Sequence, residues 1–470
     1  MRITRHFIDV GTGASRRRVH YRRCGQGPAL LMVHQSPRSS AEYADLMRRW
    51  GRDFTCIAPD SPGFGQSDAF ADPDATIADF ADGLVDLLDV LGIDRVPAYG
   101  FHSGGIILVT ALRRHPGRFS ALAIGGYAIW TEAERRLFSE SYLPPFRPDP
   151  YGSHLVWLWN RILEQSWFFP WFDTRAARRL PVAHADPARV DAVVREMLDA
   201  GDAYRTGYGA VLRASRDIPG PDEPTAPVLI AAYDGDPLQE HIDRLGPLPA
   251  QWSARKVATP ADLEEASVAF LRQHGVAVPE LVEAQDEGFV AVDVPGFDGL
   301  VHWRGRRGGA LTIHAAGRSA ELLAGDTGLA IDVPGHGLSD DWDGAAPTDP
   351  AAWQALFAAV AATLEAGEIE YEPAPDGETE LLFPDLTPDR FGAYLITAWS
   401  IVRAAHFFAP WYCADASHGI DFGVEEIAPE RLAREHRALL QAQSARAWHA
   451  ASRAIAGARG ETVGQAAAAL

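Results

Sequence analysis

ALLMVH (29 to 34) is apolar at every position but its last, so it cannot be a strand with one face in water. It reads as a strand buried on both faces, as do TCIAPD (55 to 60) and ALAIGG (121 to 126). RRRVHYRR (16 to 23) alternates, as a half-exposed strand does. ATIADFADGLVDLLDVLGI (75 to 93) instead places Ile77, Phe80, Leu84, Leu87, Leu88 and Leu91 on one helical face. Buried strands separated by amphipathic helices predict an α/β fold, a mostly parallel sheet with helices on both faces. One junction is sharper than the rest. RVPAYG (95 to 100) reads as a strand, IILVTALRRHPGRF as a helix, and only FHSGG separates them.

Bulk properties narrow the function. The chain has 470 residues, 47% of them apolar, enough for two to three domains with substantial cores. A formal net charge of −20 offers phosphates no basic field, so a nucleic-acid partner is not expected. Lys256 is the sole lysine, which argues against Schiff-base chemistry. Cys24, Cys56 and Cys413 are scattered and odd in number, so neither a disulfide framework nor a zinc knuckle is written here. The amino end lacks an apolar signal core, and IILVTAL (106 to 112) is too short to span a bilayer. A soluble cytoplasmic protein without membrane contact is the expectation.

The order strand, HQSP turn, strand ending in PDSPGFGQSD, helix, strand, GxHxG turn, helix, strand resembles the α/β-hydrolase superfamily across residues 15 to 126. The resemblance resumes at PVLIAAYDGDPL (227 to 238), similar to the family's acid-bearing strand. It implies a core at 1–128 and 225–275 with a helical cap inserted at 129–224. That segment holds Trp157, Trp159, Trp167, Phe168, Phe169, Trp171 and Phe172. These are either the cap's own core or the lining of an apolar pocket for part of a small-molecule substrate.

In this family a strand turns sharply into a helix and lifts the nucleophile above the sheet end, crowding the residues two before and two after it. With His102 at the apex those residues are Gly100 and Gly104; with Ser103 they would be Phe101 and Gly105. The glycines favour His102. The resemblance further implies Asp236, in preference to Asp234, as the acid. The backbone N–H groups of Ser36 and Ser103 would form the oxyanion hole. Ordinary turn and helix-start chemistry is the other reading of both serines. Gln35 stands where the family has glycine, and His34 matches a structural histidine. The loop VATPADLEEA, where the triad histidine belongs, contains none. His241 and His274 are expected at the surface. An imidazole at the apex can act as base, acid or nucleophile near neutral pH. No cofactor and no metal are expected; His34, His102 and Asp236 have no spacing that demands one.

The remaining residues echo the first. GLVHWRGRRGGALTIHAAG (299 to 317) echoes RRVHYRRCGQGPALLMVHQS (17 to 36), and LAIDVPGHGLSD (329 to 340) echoes CIAPDSPGFGQSD (56 to 68). DRFGAYLITAWSIVRAAHFFAPWY (389 to 412) matches 149 to 172 at a constant offset of 240. The expectation is a truncated second α/β core at 276–380, a second cap-like segment at 381–450 and a tail at 451–470, frayed over ARGETVGQAAAAL (458 to 470). The elbow strand and its helices are expected to be replaced by a hairpin around Asp376-Gly377. Half a sheet should need partners for its faces, supplied by the first copy or by a homodimer. Two functions fit: a cofactor-free catalyst for an ester, thioester, lactone or carbonyl-adjacent C–C bond, or an inactive homologue that binds a ligand or acts as a scaffold.

Overall fold

The computed structural model describes residues 1–277, 284, 286–323 and 328–459. They fall into two compact units, residues 1–147 with 159–284 and residues 148–158 with 285–470.

The first unit is built on eight strands. They are β1 (Thr4–Val10), β2 (Arg17–Cys24), β3 (Ala29–Val33), β4 (Thr55–Pro59), β5 (Val96–Phe101), β6 (Phe119–Gly125), β7 (Val228–Tyr233) and β8 (Trp252–Val257). Their spatial order is β1-β2-β4-β3-β5-β6-β7-β8. β2 runs antiparallel to both neighbours, and the six strands from β4 to β8 in that order are parallel. Every residue of β3 and β4 is buried, as their unbroken apolar runs require.

Helices α1 (Ala44–Trp50), α2 (Ile77–Val90) and α3 (Ser103–Arg114) flank this sheet. Phe80, Leu84, Leu87 and Leu88 of α2 join Ile107 and Leu108 of α3 in one core cluster. Each such side chain contributes about 1.5–3 kcal/mol on full burial. Between β6 and β7 the chain forms α4 (Glu132–Ser141), α5 (Ser153–Gln165), α6 (Pro187–Ala200) and α7 (Tyr204–Arg213). α8 (Pro260–Leu271) follows β8 almost at once, so the expected loop VATPADLEEA is mostly helix. The cause is a capping box: Thr259 Oγ1 accepts from Asp262 N–H, Asp262 accepts from Thr259 N–H, and Pro260 opens the helix.

The second unit carries β9 (Glu287–Val294), β10 (Phe297–Arg304), β11 (Leu311–Ile313), β12 (Leu329–Ile331) and β13 (Ile369–Tyr371). Its helices are α9 (Pro350–Thr363), α10 (Thr379–Leu382), α11 (Ala393–Ala405), α12 (Pro429–Leu440) and α13 (Ala445–Ala458). The strand order β9-β10-β12-β11-β13 has the same sequence of antiparallel and parallel pairs as β1-β2-β4-β3-β5. The strand beside β11 is therefore present, though only three residues long, and α9 precedes it as α2 precedes β5. No hairpin forms at Asp376-Gly377. TELL is helical instead, and Glu378 N–H donates to the Tyr412 hydroxyl at 2.7 Å.

The two sheets also share a hydrogen-bond pattern. His20 Nδ1 lies 2.8 Å from Asp60, and His302 Nδ1 lies 2.8 Å from Asp332. Asp60 accepts from Ser40 and Gln66 N–H; Asp332 accepts from Ala320 and Leu338 N–H. His34 bonds Gln35 O and Ser61 N–H, while His314 bonds Ala315 O and Val333 N–H.

The second unit buries a core of its own, with Trp303, Trp353, Trp399 and Trp448 almost fully enclosed. Residues assigned to the tail supply part of it, because α13 runs to Ala458 and buries Ala451 and Ile455. On that helix Trp448 packs 5.1 Å from Trp353 and donates its Nε1–H to His314 O at 2.9 Å. Residues 460–470 lie outside the described residues.

Candidate functional site

β5 ends at Phe101 and α3 begins at Ser103, so a single residue makes the turn between them. That residue is His102, with φ 46° and ψ −108°. A non-glycine residue held at positive φ stores strain and requires its surroundings to fix it. Here β3 and α3 fix it. A Cβ on Gly104 would lie 1.9 Å from Val33 O, and one on Gly100 would lie 2.7 Å from the Gly104 carbonyl carbon. The crowded positions are thus two residues either side of His102. At Gly105 the nearest obstacle is only a methyl of Ile124.

The imidazole of His102 stacks on Phe101, with ring centroids 4.0 Å apart. Its Nε2 lies 3.1 Å from both carboxylate oxygens of Asp236, which leaves β7 and is 5% exposed. Burial alone would raise the pKa of Asp236. The facing His102 and the Leu238 N–H, 2.7 Å from Oδ1, outweigh burial and hold it below the usual carboxylate value. A carboxylate at Nε2 fixes the neutral ring with its proton on Nε2 and a lone pair on Nδ1. Nδ1 has no hydrogen-bond partner among the described residues. Asp234 takes no part; it accepts from Gln239.

The two serines meet in a way the sequence did not reveal. Ser36 N–H donates to Ser103 Oγ at 3.1 Å, so one of the two expected oxyanion donors already has a partner. Both serines are buried. Gln35 is accommodated in the glycine position because its N–H and side-chain amide both donate to Glu42. His34 is structural, with Nε2 accepting from Ser61 N–H and Nδ1 donating to Gln35 O. No group of three or more His, Cys, Asp or Glu among the described residues is arranged to hold a metal.

His102 and Ser103 open onto a narrow cleft of about 420 Å³, counted to its mouth. Its walls are apolar: Ile106, Trp130, Phe138, Phe169, Leu212 and Leu238 among them. Of the seven cap aromatics singled out in the sequence, only Phe169 lines it. Trp130, Phe138, Tyr142 and Tyr208 carry no periodic signal, since they come from a loop and two different helices. The hydroxyls of Tyr142 and Tyr208 lie 3.1 Å apart, and burial raises the pKa of both.

Residues 28–238 match the family model described as alpha/beta hydrolase fold. The first unit has the α/β-hydrolase fold. Haloalkane dehalogenase 2 of Mycobacterium tuberculosis is 32% identical over 117 residues, covering 25% of this chain and 41% of that one. The 2-hydroxy-6-oxo-6-phenylhexa-2,4-dienoate hydrolase of Burkholderia cepacia is 28% identical over 134 residues, covering 26% and 45%. The chain thus spans less than half the length of these curated relatives. The solved epoxide hydrolase CorEH aligns at 16% identity with a TM-score of 0.43, covering 57% of this chain and 98% of that one.

Within the first unit His241 and His274 correct the sequence reading. His241 is 3% exposed, not at the surface: its Nδ1 accepts from Ile129 N–H at 2.8 Å and its ring meets Trp130 edge-on. His274 is half-buried beside Phe270. A single polar residue in a turn of helix carries no periodicity to announce its burial. Burial, aided by the Arg244 guanidinium, pushes His241 down to about 4. Its contribution to stability is therefore full above the unfolded value of about 6.5 and is lost as pH falls toward 4. His241→Asn keeps an acceptor for Ile129 and removes the titration. In urea unfolding at pH 7 and pH 4.5, the stability difference between the two pH values should narrow by about 2 kcal/mol in the variant. An unchanged difference would refute this assignment.

Proposed function

We propose that the first unit is a cofactor-free hydrolase or lyase acting on an ester, thioester, lactone or carbonyl-adjacent C–C bond. His102 stands at the position where the family carries its nucleophile. One observation supports the reading above all: Asp236 engages Nε2 of His102 through both oxygens, and His102 lines an apolar cleft. As a base, Nδ1 takes a proton from a bound water or from the substrate. Asp236 stabilises the imidazolium, which then returns the proton to the leaving group. As a nucleophile, Nδ1 bonds to the carbonyl carbon, the bond to the leaving group breaks, and water hydrolyses the acyl-imidazole.

The Ser103 N–H stabilises the oxyanion in either route. Ser36 N–H joins it when the substrate oxygen displaces the Ser103 hydroxyl. The cleft suits a substrate with an apolar part, and the hydrolase name of the Burkholderia relative is consistent with this chemistry. The shared strand order and hydrogen bonds support reading the second sheet as a partial second copy, in which no described residue corresponds to His102 or Asp236.

The occupied Ser36 N–H favours a second reading, a homologue that binds a ligand without turning it over. A panel of aryl esters, thioesters and lactones separates the two. A catalyst turns over at least one of them, with a rate that falls as one proton is added on acidification. No turnover, or a rate indifferent to pH, favours the binding protein.

A further inference from the structure

The cap of the first unit has a second concavity. It is a groove of about 1070 Å³, counted to its open mouth, between α4 and α7. Phe138 and Leu212 line both this groove and the cleft over His102, so they form the wall between them. The groove differs sharply in charge. Four arginines line it, Arg135 and Arg136 from α4 and Arg205 and Arg213 from α7, against one carboxylate, Glu132. In a chain of net charge −20 that is a local inversion.

Arg205 is held by Leu143 O at 3.1 Å and lies 3.6 Å from Asp202. No ion pair joins Arg135, Arg136 or Arg213 to a carboxylate among the described residues. Gly209 makes room for one of them: a Cβ there would lie 2.6 Å from Arg213 Nη1. Three guanidinium groups against one carboxylate leave the groove an excess of positive charge, which an anion offsets. Guanidinium forks match phosphate oxygens two at a time. Beside them Phe138, Leu143 and Leu212 give the groove an apolar side.

We infer that the α4–α7 groove binds a soluble organic phosphate, its phosphoryl oxygens on Arg135, Arg136 and Arg213 and its apolar part against Leu143 and Leu212. The site is separate from the chemistry at His102 and stands or falls without it.

Calorimetric titration of the full chain with inorganic pyrophosphate at low ionic strength tests this. Saturable binding should weaken at least tenfold in Arg136→Gln/Arg213→Gln. It should tighten in Glu132→Gln, where the only acid of the groove is neutralised, and stay unchanged in Arg147→Gln, outside it. Added salt should weaken it, since these charges face solvent. Thermal melting of each variant separates loss of binding from loss of fold, and the Glu132→Gln gain cannot come from misfolding. Absence of pyrophosphate binding, or equal binding by wild type and the double variant, overturns the site. So does binding of phosphatidylglycerol vesicles without pyrophosphate binding, which would make the surface a membrane contact.

Discussion

Replacing His102 with alanine lowers kcat on any ester or thioester the protein hydrolyses by about a hundredfold to ten-thousandfold, while KM moves little. The loss corresponds to about 3–5 kcal/mol of transition-state stabilisation. It falls on kcat because the apolar walls that hold the substrate are untouched, whereas the group that moves the proton or attacks the carbonyl is gone. Asp236→Asn should lose nearly as much. An amide can turn its NH₂ toward Nε2, which moves the imidazole proton to Nδ1 and removes the lone pair that does the work. Steady-state kinetics on the most reactive member of the panel checks both. Equal kcat in wild type and His102→Ala would place the chemistry elsewhere.

The largest effect on stability should come from Gly104→Ala. The new Cβ would meet Val33 O at 1.9 Å, and that oxygen belongs to the backbone of a fully buried strand, which cannot yield without breaking the sheet. A cost above about 4 kcal/mol follows. The variant should melt about 10 °C or more below wild type, or fail to accumulate in soluble form. Gly105→Ala is the contrast. Its Cβ meets a methyl of Ile124, a side chain that can repack, for about 1–3 kcal/mol. Melting curves showing equal tolerance at the two positions would mean that the turn is not crowded around His102.

That pair of glycines illustrates what was legible in the sequence. Crowding leaves a local trace, so Gly100 and Gly104 located the turn before any coordinates did. Fully apolar strands and the amphipathic face of α2 were equally plain. Asp236 was singled out by the resemblance alone, which prefers it to Asp234 at the exit of β7. Contacts between distant turns were not legible. Ser36 and Ser103 are 67 positions apart, and their hydrogen bond depends on where β3 and β5 place two unrelated loops. The cleft wall is assembled from three helices and several loops, so no periodicity marks it.

Irregular segments misled in a different way. A DG pair signals a hairpin, but β13 pairs in parallel with β11 and has no antiparallel partner among the described residues. A tail from residue 451 was the expectation, but α13 runs on to Ala458 and buries Ala451 and Ile455. Local composition cannot see a distant face that needs covering.

The central claim is that His102, not Ser103, carries the reactivity of the first unit. Peptide mapping after treatment with an apolar bromomethyl ketone tests it without knowledge of the natural substrate. The account predicts one equivalent of alkylation, on His102 at the nitrogen that Asp236 leaves free, and none on Ser103. Stable modification of Ser103, or a His102 no more reactive than histidines at the surface, would contradict it.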